Sequence, residues 1–162
     1  NMDKKIKEKL SKIKLFICDI DGVLTDGAFI KSTSGEELRS FNALDGVGFV
    51  MLRLLQLDIK TAWITGRESA TTTLRAEELQ IDDIYNGVIR KIDAYNELKS
   101  KYSVSDDEVC FVGDDIIDIP HSWIPHLQIM ERKSHYIDCT HRTEIFIVSI
   151  PNISHTWAIL DI

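Results

Sequence analysis

The stretch Lys14-Leu15-Phe16-Ile17-Cys18-Asp19-Ile20-Asp21-Gly22-Val23-Leu24-Thr25-Asp26-Gly27 sets the reading of this chain. Its apolar run, 15–18, has the length and composition of a buried strand, and it stops at two carboxylates spaced i, i+2 with Gly22 behind them. If the extended backbone continued, side chains at i and i+2 would share a face. Two acids so placed raise each other's cost of ionising unless a cation lies between them. Such a pair is costly as architecture and useful as chemistry. It suits a hard metal ion, an acid–base pair or a carboxylate nucleophile.

Working outward, strand-like runs recur at 60–64 and 109–112, each ending in a polar or glycine-bearing turn, with a shorter candidate at 84–85. Apolar residues at helical spacing occupy 47–57, 70–79 and 92–102, and residues 3–12 read as a lysine-rich, helical lead-in. Between the first two strands, alternation on either side of Ser34-Gly35 predicts a β-hairpin over 28–41. Strands alternating with helices imply an α/β fold with a mainly parallel sheet. Ligands of such sheets bind beyond the carboxyl ends of the strands. Asp19, Thr65 and Asp114 all fall just past such ends.

Length and composition narrow the function classes. At 162 residues the chain reads as a single domain, 1–162, with no internal repeat, low-complexity segment or linker. A hydrophobic content of 44% with 28% charged residues is that of a globular protein. A net charge of −7 argues against a nucleic-acid partner, which needs a basic stripe. It leaves room for an anionic substrate, since a cation and a few basic side chains can dominate locally. Three irregularly spaced cysteines form no disulfide framework; Cys18 and Cys110 sit in apolar runs as expected core residues, which fits a reducing, cytoplasmic setting. The apolar run before Asp19 is too short for a signal segment or a membrane span, and Asn1, ahead of Met2, is left aside as a remnant.

The remaining chemistry-bearing pieces also stand at strand ends. Trp63-Ile64-Thr65-Gly66-Arg67 runs from a strand into a hydroxyl and a glycine, and Lys91 stands on the turn into the 92–102 helix. Val112-Gly113-Asp114-Asp115-Ile116-Ile117-Asp118 is an acid cluster after a strand. Together they offer oxygen ligands for a hard cation, phosphate-binding donors and an ammonium charge, the set that phosphoryl transfer requires. In this order the motifs resemble those of haloacid-dehalogenase-type phosphatases: Asp19/Asp21, Thr65, Lys91 and Asp114/Asp115. Asp-Ile-Asp-Gly-Val-Leu-Thr-Asp-Gly at 19–27, Gly-Glu-Glu-Leu-Arg-Ser-Phe-Asn-Ala-Leu-Asp-Gly-Val-Gly at 35–48, Ile-Thr-Gly-Arg-Glu-Ser at 64–69 and Val-Gly-Asp-Asp-Ile-Ile-Asp-Ile-Pro at 112–120 resemble the capless branch acting on sugar-acid phosphates. The resemblance spans about Lys14 to Pro120.

That resemblance implies a Rossmann-like three-layer sandwich in which the hairpin replaces a cap domain. It implies that Asp19 is the nucleophile and that Asp21 protonates the leaving oxygen and then activates water. Mg²⁺ would be held by Asp19, the Asp21 carbonyl and Asp114, with Asp115 near its waters. Thr65 and Lys91 would bind phosphate, with backbone N–H groups near Ile20, Asp21 and Gly66. Arg67 after Thr-Gly resembles the phosphatases of eight-carbon octulosonates, whereas relatives acting on nine-carbon 9-phosphates look more like Thr-Gly-Glu; an arginine suits a sugar-acid carboxylate. A capless site is covered in this branch by a neighbouring subunit, so a homotetramer is expected, with Phe41, Asn42, Asp45 and Gly46 lining the pocket or the interface. The pathway implied is lipopolysaccharide precursor synthesis in a Gram-negative bacterium.

Blander readings stand beside these. A lone Asp-x-Asp is more often a solvated turn, Thr-Gly more often a plain turn, and a lysine at a helix start more often solvated. Asp118 reads equally as a cap or as a supporting acid, and the histidines at 121, 126, 135, 141 and 155 match no zinc spacing. A phospho-accepting receiver also combines an acceptor Asp, a Thr and a Lys, but it places its acid pair first and its acceptor later. A catalytically impaired oligomeric protein is a third reading, prompted by the tail. After Pro120 the pattern of the branch is lost, with no glycine beyond Gly113, so 121–162 reads as a divergent segment or a shifted frame.

Overall fold

The computed structural model describes residues 8, 10–35, 37–113 and 147–149. The strands are β1 (Leu15–Cys18), β2 (Ile30–Lys31), β3 (Glu37–Leu38), β4 (Lys60–Thr65), β5 (Asp83–Asn86), β6 (Val109–Gly113) and β7 (Ile147–Ser149). The helices are α1 (Ala43–Leu54), α2 (Ala70–Leu79) and α3 (Lys91–Tyr102), with a 3₁₀ turn at Asp106–Glu108. The main sheet runs β5-β4-β1-β6-β7; its first four strands are parallel, and β7 lies antiparallel on β6. This is the mainly parallel α/β sheet anticipated from the alternation of strands and helices.

Alternation along each central strand builds two cores. Leu15, Ile17, Ala62, Ile64, Val109 and Phe111 face one way and pack with Ala94, Tyr95 and Leu98 of α3. Cys18, Trp63, Cys110 and Val112 face the other way and pack with Phe49 of α1 and Ala76 and Leu79 of α2. Helices therefore cover both faces, which gives three layers. Trp63, Leu15 and Ile17 are fully buried, and each aliphatic side chain so placed stabilises the fold by about 1.5–3 kcal/mol relative to exposure. Gly46 sits where α1 meets α2: a Cβ there would come within 2.7 Å of the Arg75 guanidinium and 3.1 Å of Leu79, so a larger residue would require those side chains to shift.

Element boundaries differ from the sequence reading in a few places. Helix α1 starts at Ala43 rather than 47, because the Asn42 side chain accepts from the Leu44 N–H and caps it. Lys91 is the first residue of α3 rather than part of the preceding turn. The hairpin forms around its Gly35 turn, with φ of 89°, but its ladder is short: Ile30 opposite Leu38 and Lys31 opposite Glu37. Of the helical lead-in, Glu8 and Leu10 are helical. Asp114, Asp115, Asp118, Cys139, the histidines and most of 121–162 lie outside the described residues.

Candidate active site

Strand β1 ends at Cys18, so the extended spacing that would set Asp19 and Asp21 on one face never reaches them. The chain instead curls at once. The Ile20 carbonyl accepts from the N–H groups of Val23, Leu24 and Thr25 at 3.3, 2.9 and 3.1 Å, and Gly22 adopts φ of 87°. The Thr25 hydroxyl accepts from the N–H groups of Gly22 and Gly27, both at 3.3 Å. The Asp19 N–H donates to the Val112 carbonyl at 2.9 Å, which docks the start of this loop on β6.

The two acids consequently meet different surroundings. Asp19 is buried, and its Oδ1 lies 2.7 Å from the Nζ of Lys91, itself only 5% exposed. The asymmetry of the pair is thus built in: Asp21 keeps a 40% exposed side chain, and its Oδ2 lies 3.3 Å from Nη2 of Arg39. Thr65 ends β4, the neighbour of β1, and is fully buried. Its Oγ1 accepts from the Arg67 N–H at 3.3 Å, while its carbonyl accepts from Gly87 and Val88 in the turn leading to α3. One connected backbone unit therefore positions Thr65, Arg67 and Lys91.

Asn86 holds the 65–69 loop in place: its Oδ1 accepts from the Ser69 N–H at 3.0 Å, and its Nδ2 donates to the Ser69 carbonyl at 2.8 Å. At Gly66 an added Cβ would meet only the Val88 carbonyl, at 3.9 Å. Packing does not demand glycine there, and the open backbone suits the close approach of a ligand. Arg67 is exposed, and its guanidinium carbon stands 4.0 Å from the centre of the Phe29 ring on the hairpin. Asp45, in the first turn of α1, is half-buried. Asn42 caps α1, so a structural task for it is established.

The donors near Asp19 are oxygens. Cys18 is buried and its thiol is pushed well up, by burial first and then by Cys110, Asp19 and Asp45, so it offers no thiolate. Among the described residues no cluster of three or more His, Cys, Asp or Glu forms a metal site. Asp114 and Asp115 follow β6, the strand beside β1, and lie outside those residues. A carboxylate-and-carbonyl set of this kind fits a hard cation rather than a thiophilic one. A groove of about 720 Å³ lies elsewhere, lined by Lys14, Ile59 and Glu108 at the amino ends of the strands, away from Asp19. Parallel sheets do not place their ligands there.

The sequence reading brought Asp19, Thr65, Arg67 and Lys91 to one end of the sheet, and the structure sets them there. It overlooked Arg39, Thr72 and Phe29, which tie the hairpin to the site. Arg39 is legible in hindsight only as a charge in an alternating strand, where a solvated side chain is the ordinary expectation.

No family model matches the chain. Among curated proteins it is 40% identical over 113 residues to the 3-deoxy-D-manno-octulosonate 8-phosphate phosphatase of Yersinia pestis, an alignment covering 70% of this chain and 59% of that one. Among solved structures it superposes on the enzyme of that name from Moraxella catarrhalis, in complex with magnesium, phosphate and KDO. The TM-score is 0.67 at 37% identity, over 72% of this chain and 66% of the other. A cobalt-bound form of the phosphatase from Haemophilus influenzae gives a TM-score of 0.63 at 36% identity, over 68% and 63%. The chain spans about three-fifths of the length of the curated relatives it matches.

Proposed function

We propose that the chain is a haloacid-dehalogenase-like phosphatase that hydrolyses 3-deoxy-D-manno-octulosonate 8-phosphate to the free sugar acid and phosphate, a reading supported by its similarity to curated phosphatases of that name. The observation that carries this reading is the buried Asp19–Lys91 pair at 2.7 Å, set at the carboxyl end of the central strand beside Thr65. A buried carboxylate held against an ammonium is expensive as a stabilising device and apt as a nucleophile whose charge must be balanced.

In the proposed reaction an Asp19 oxygen attacks phosphorus, and the bond from phosphorus to the sugar oxygen breaks. Asp21, whose carboxyl is half-exposed toward solvent, gives its proton to that leaving oxygen. It then takes a proton from water as that water attacks the aspartyl phosphate, which frees phosphate and restores Asp19. Thr65, Lys91 and the N–H groups near Ile20, Asp21 and Gly66 would hold the phosphate oxygens. Mg²⁺, held by the Asp19 carboxylate, the Asp21 carbonyl, Asp114 and, through its waters, Asp115, would neutralise the phosphate's charge. Arg67 would bind the sugar-acid carboxylate, and Asn42 and Asp45 would line the pocket or a subunit contact. No helix among the described residues is long and apolar enough to cross a membrane, and a cytoplasmic homotetramer acting on a small molecule completes the proposal.

The test is phosphate release over a panel of sugar phosphates, including eight-carbon 8-phosphates and nine-carbon 9-phosphates, with and without Mg²⁺. Release should be Mg²⁺-dependent and fastest on the octulosonate. The Asp19→Asn protein should fold and release none; full activity in that variant would sink the mechanism. Faster turnover of a nine-carbon 9-phosphate would reassign the substrate.

A further inference from the structure

Arg39 follows β3 at the base of the hairpin, yet its side chain is only 2% exposed. Burial of a guanidinium is uncommon unless its donors are engaged. Here they divide three ways. Nε donates to Glu37 Oε1 at 3.1 Å, within the hairpin. Nη1 donates to Thr72 Oγ1 at 2.7 Å, on a fully buried residue of α2. Nη2 lies 3.3 Å from Asp21 Oδ2 but makes no aligned hydrogen bond, so it remains a buried donor with an acid as its near neighbour.

We propose that Arg39 is a positioning residue for Asp21: two anchored nitrogens fix the guanidinium against the hairpin and α2, and the third steers the Asp21 carboxyl. The inference rests on the reading of Asp21 as the proton donor to the leaving oxygen. Asp21 sits in a turn with a 40% exposed side chain, so the loop itself leaves that carboxyl free to rotate. A proton donor must lie within hydrogen-bond reach of the atom it serves, and a misplaced one loses most of its effect. The hairpin thereby acts on the reaction from inside its own subunit, whatever covers the site from outside.

A plain structural staple would lower stability, or lower all activities together. A positioning residue makes the rate depend on how badly the leaving group needs a proton. The sugar alkoxide needs one; the nitrophenolate of p-nitrophenyl phosphate does not. Arg39→Met should therefore lower kcat on octulosonate 8-phosphate by about 30- to 100-fold, part of the 10²–10⁴ that general acids contribute, and lower it on p-nitrophenyl phosphate by less than about 3-fold. Arg39→Lys should recover most of the first loss. Melting curves check that both variants fold; if Arg39→Met does not, Thr72→Val keeps the arginine, removes its α2 anchor and should show the same bias at about 3- to 10-fold, a fraction of the general-acid effect. Equal losses on the two substrates in a folded variant would overturn the positioning role. A native protein that releases phosphate from neither substrate would overturn the phosphatase reading itself, and this inference with it.

Discussion

Arg67 carries its guanidinium carbon 4.0 Å from the centre of the Phe29 ring. A guanidinium over an aromatic face is attracted to the ring, and its N–H groups suit a carboxylate. Reversing the charge there should act on a substrate that carries a carboxylate and spare one that lacks it. Arg67→Glu is expected to reduce kcat/KM on octulosonate 8-phosphate by at least about 30-fold, roughly 2 kcal/mol, the scale of one charge-assisted hydrogen bond. On p-nitrophenyl phosphate the change should stay within about 3-fold, since the proposed phosphate donors are untouched. Parallel steady-state assays decide it, and equal losses would remove Arg67 from substrate recognition. At this scale the sequence exposed the residues whose type is unusual for their place: acids at a strand end, Thr-Gly after a strand. It did not expose Arg39 or Phe29, because their partners, Asp21, Thr72 and Arg67, are distant along the chain or set by the turn of the hairpin.

At the scale of elements, β4 is fastened to β5 by a side-chain clamp. Asp82 accepts from the Thr61 N–H at 2.9 Å and the Thr61 hydroxyl at 3.0 Å, and pairs with Lys60 at 2.9 Å. Burial alone would raise the Asp82 carboxyl, but the hydrogen bonds from Lys60 and Thr61 outweigh it and hold it below the usual range. A depressed carboxylate contributes stability that is present above its unfolded value, near pH 4, and lost as the pH falls through the folded one. Asp82→Asn should therefore lower the melting temperature at pH 7 by about 2–4 °C, or about 1 kcal/mol for a partly exposed pair, with the difference shrinking below about pH 4. A difference that persists unchanged at pH 3 would show that packing, not charge, makes the clamp. Element positions were legible wherever period and burial agreed: β1 and α2 have the bounds read from the sequence. Helix α1 was misplaced at its start because its apolar spacing mixes two faces. Gly46 and Phe49 are buried, while Leu44, Val47, Met51 and Leu54 lie on the exposed side. Strand β7 was not foreseen, since it falls where the sequence departs from the pattern that guided the rest.

That exposed side of α1 governs the expectation for the whole molecule. Leu44, Val47, Met51, Leu54 and Leu55 are 69, 52, 44, 71 and 60% exposed, at spacings that form one stripe along the helix. The hairpin adds Ile30 and Leu38, at 53% and 58%. A contiguous apolar stripe of this kind marks an interaction surface more often than a solvated one. In the proposed homotetramer a second copy would cover this stripe and supply a wall for the sugar that the short hairpin leaves open. Light scattering should accordingly give a particle mass near that of four chains, and the double variant Val47→Glu, Met51→Glu should move it toward that of one, because two buried charges per contact oppose association strongly. If the neighbour closes the site, dissociation should lower turnover of octulosonate 8-phosphate far more than turnover of p-nitrophenyl phosphate, which needs no wall around a sugar. A native protein that is monomeric and equally active on both would detach the stripe from assembly and leave Arg67 and the hairpin as the determinants of the substrate.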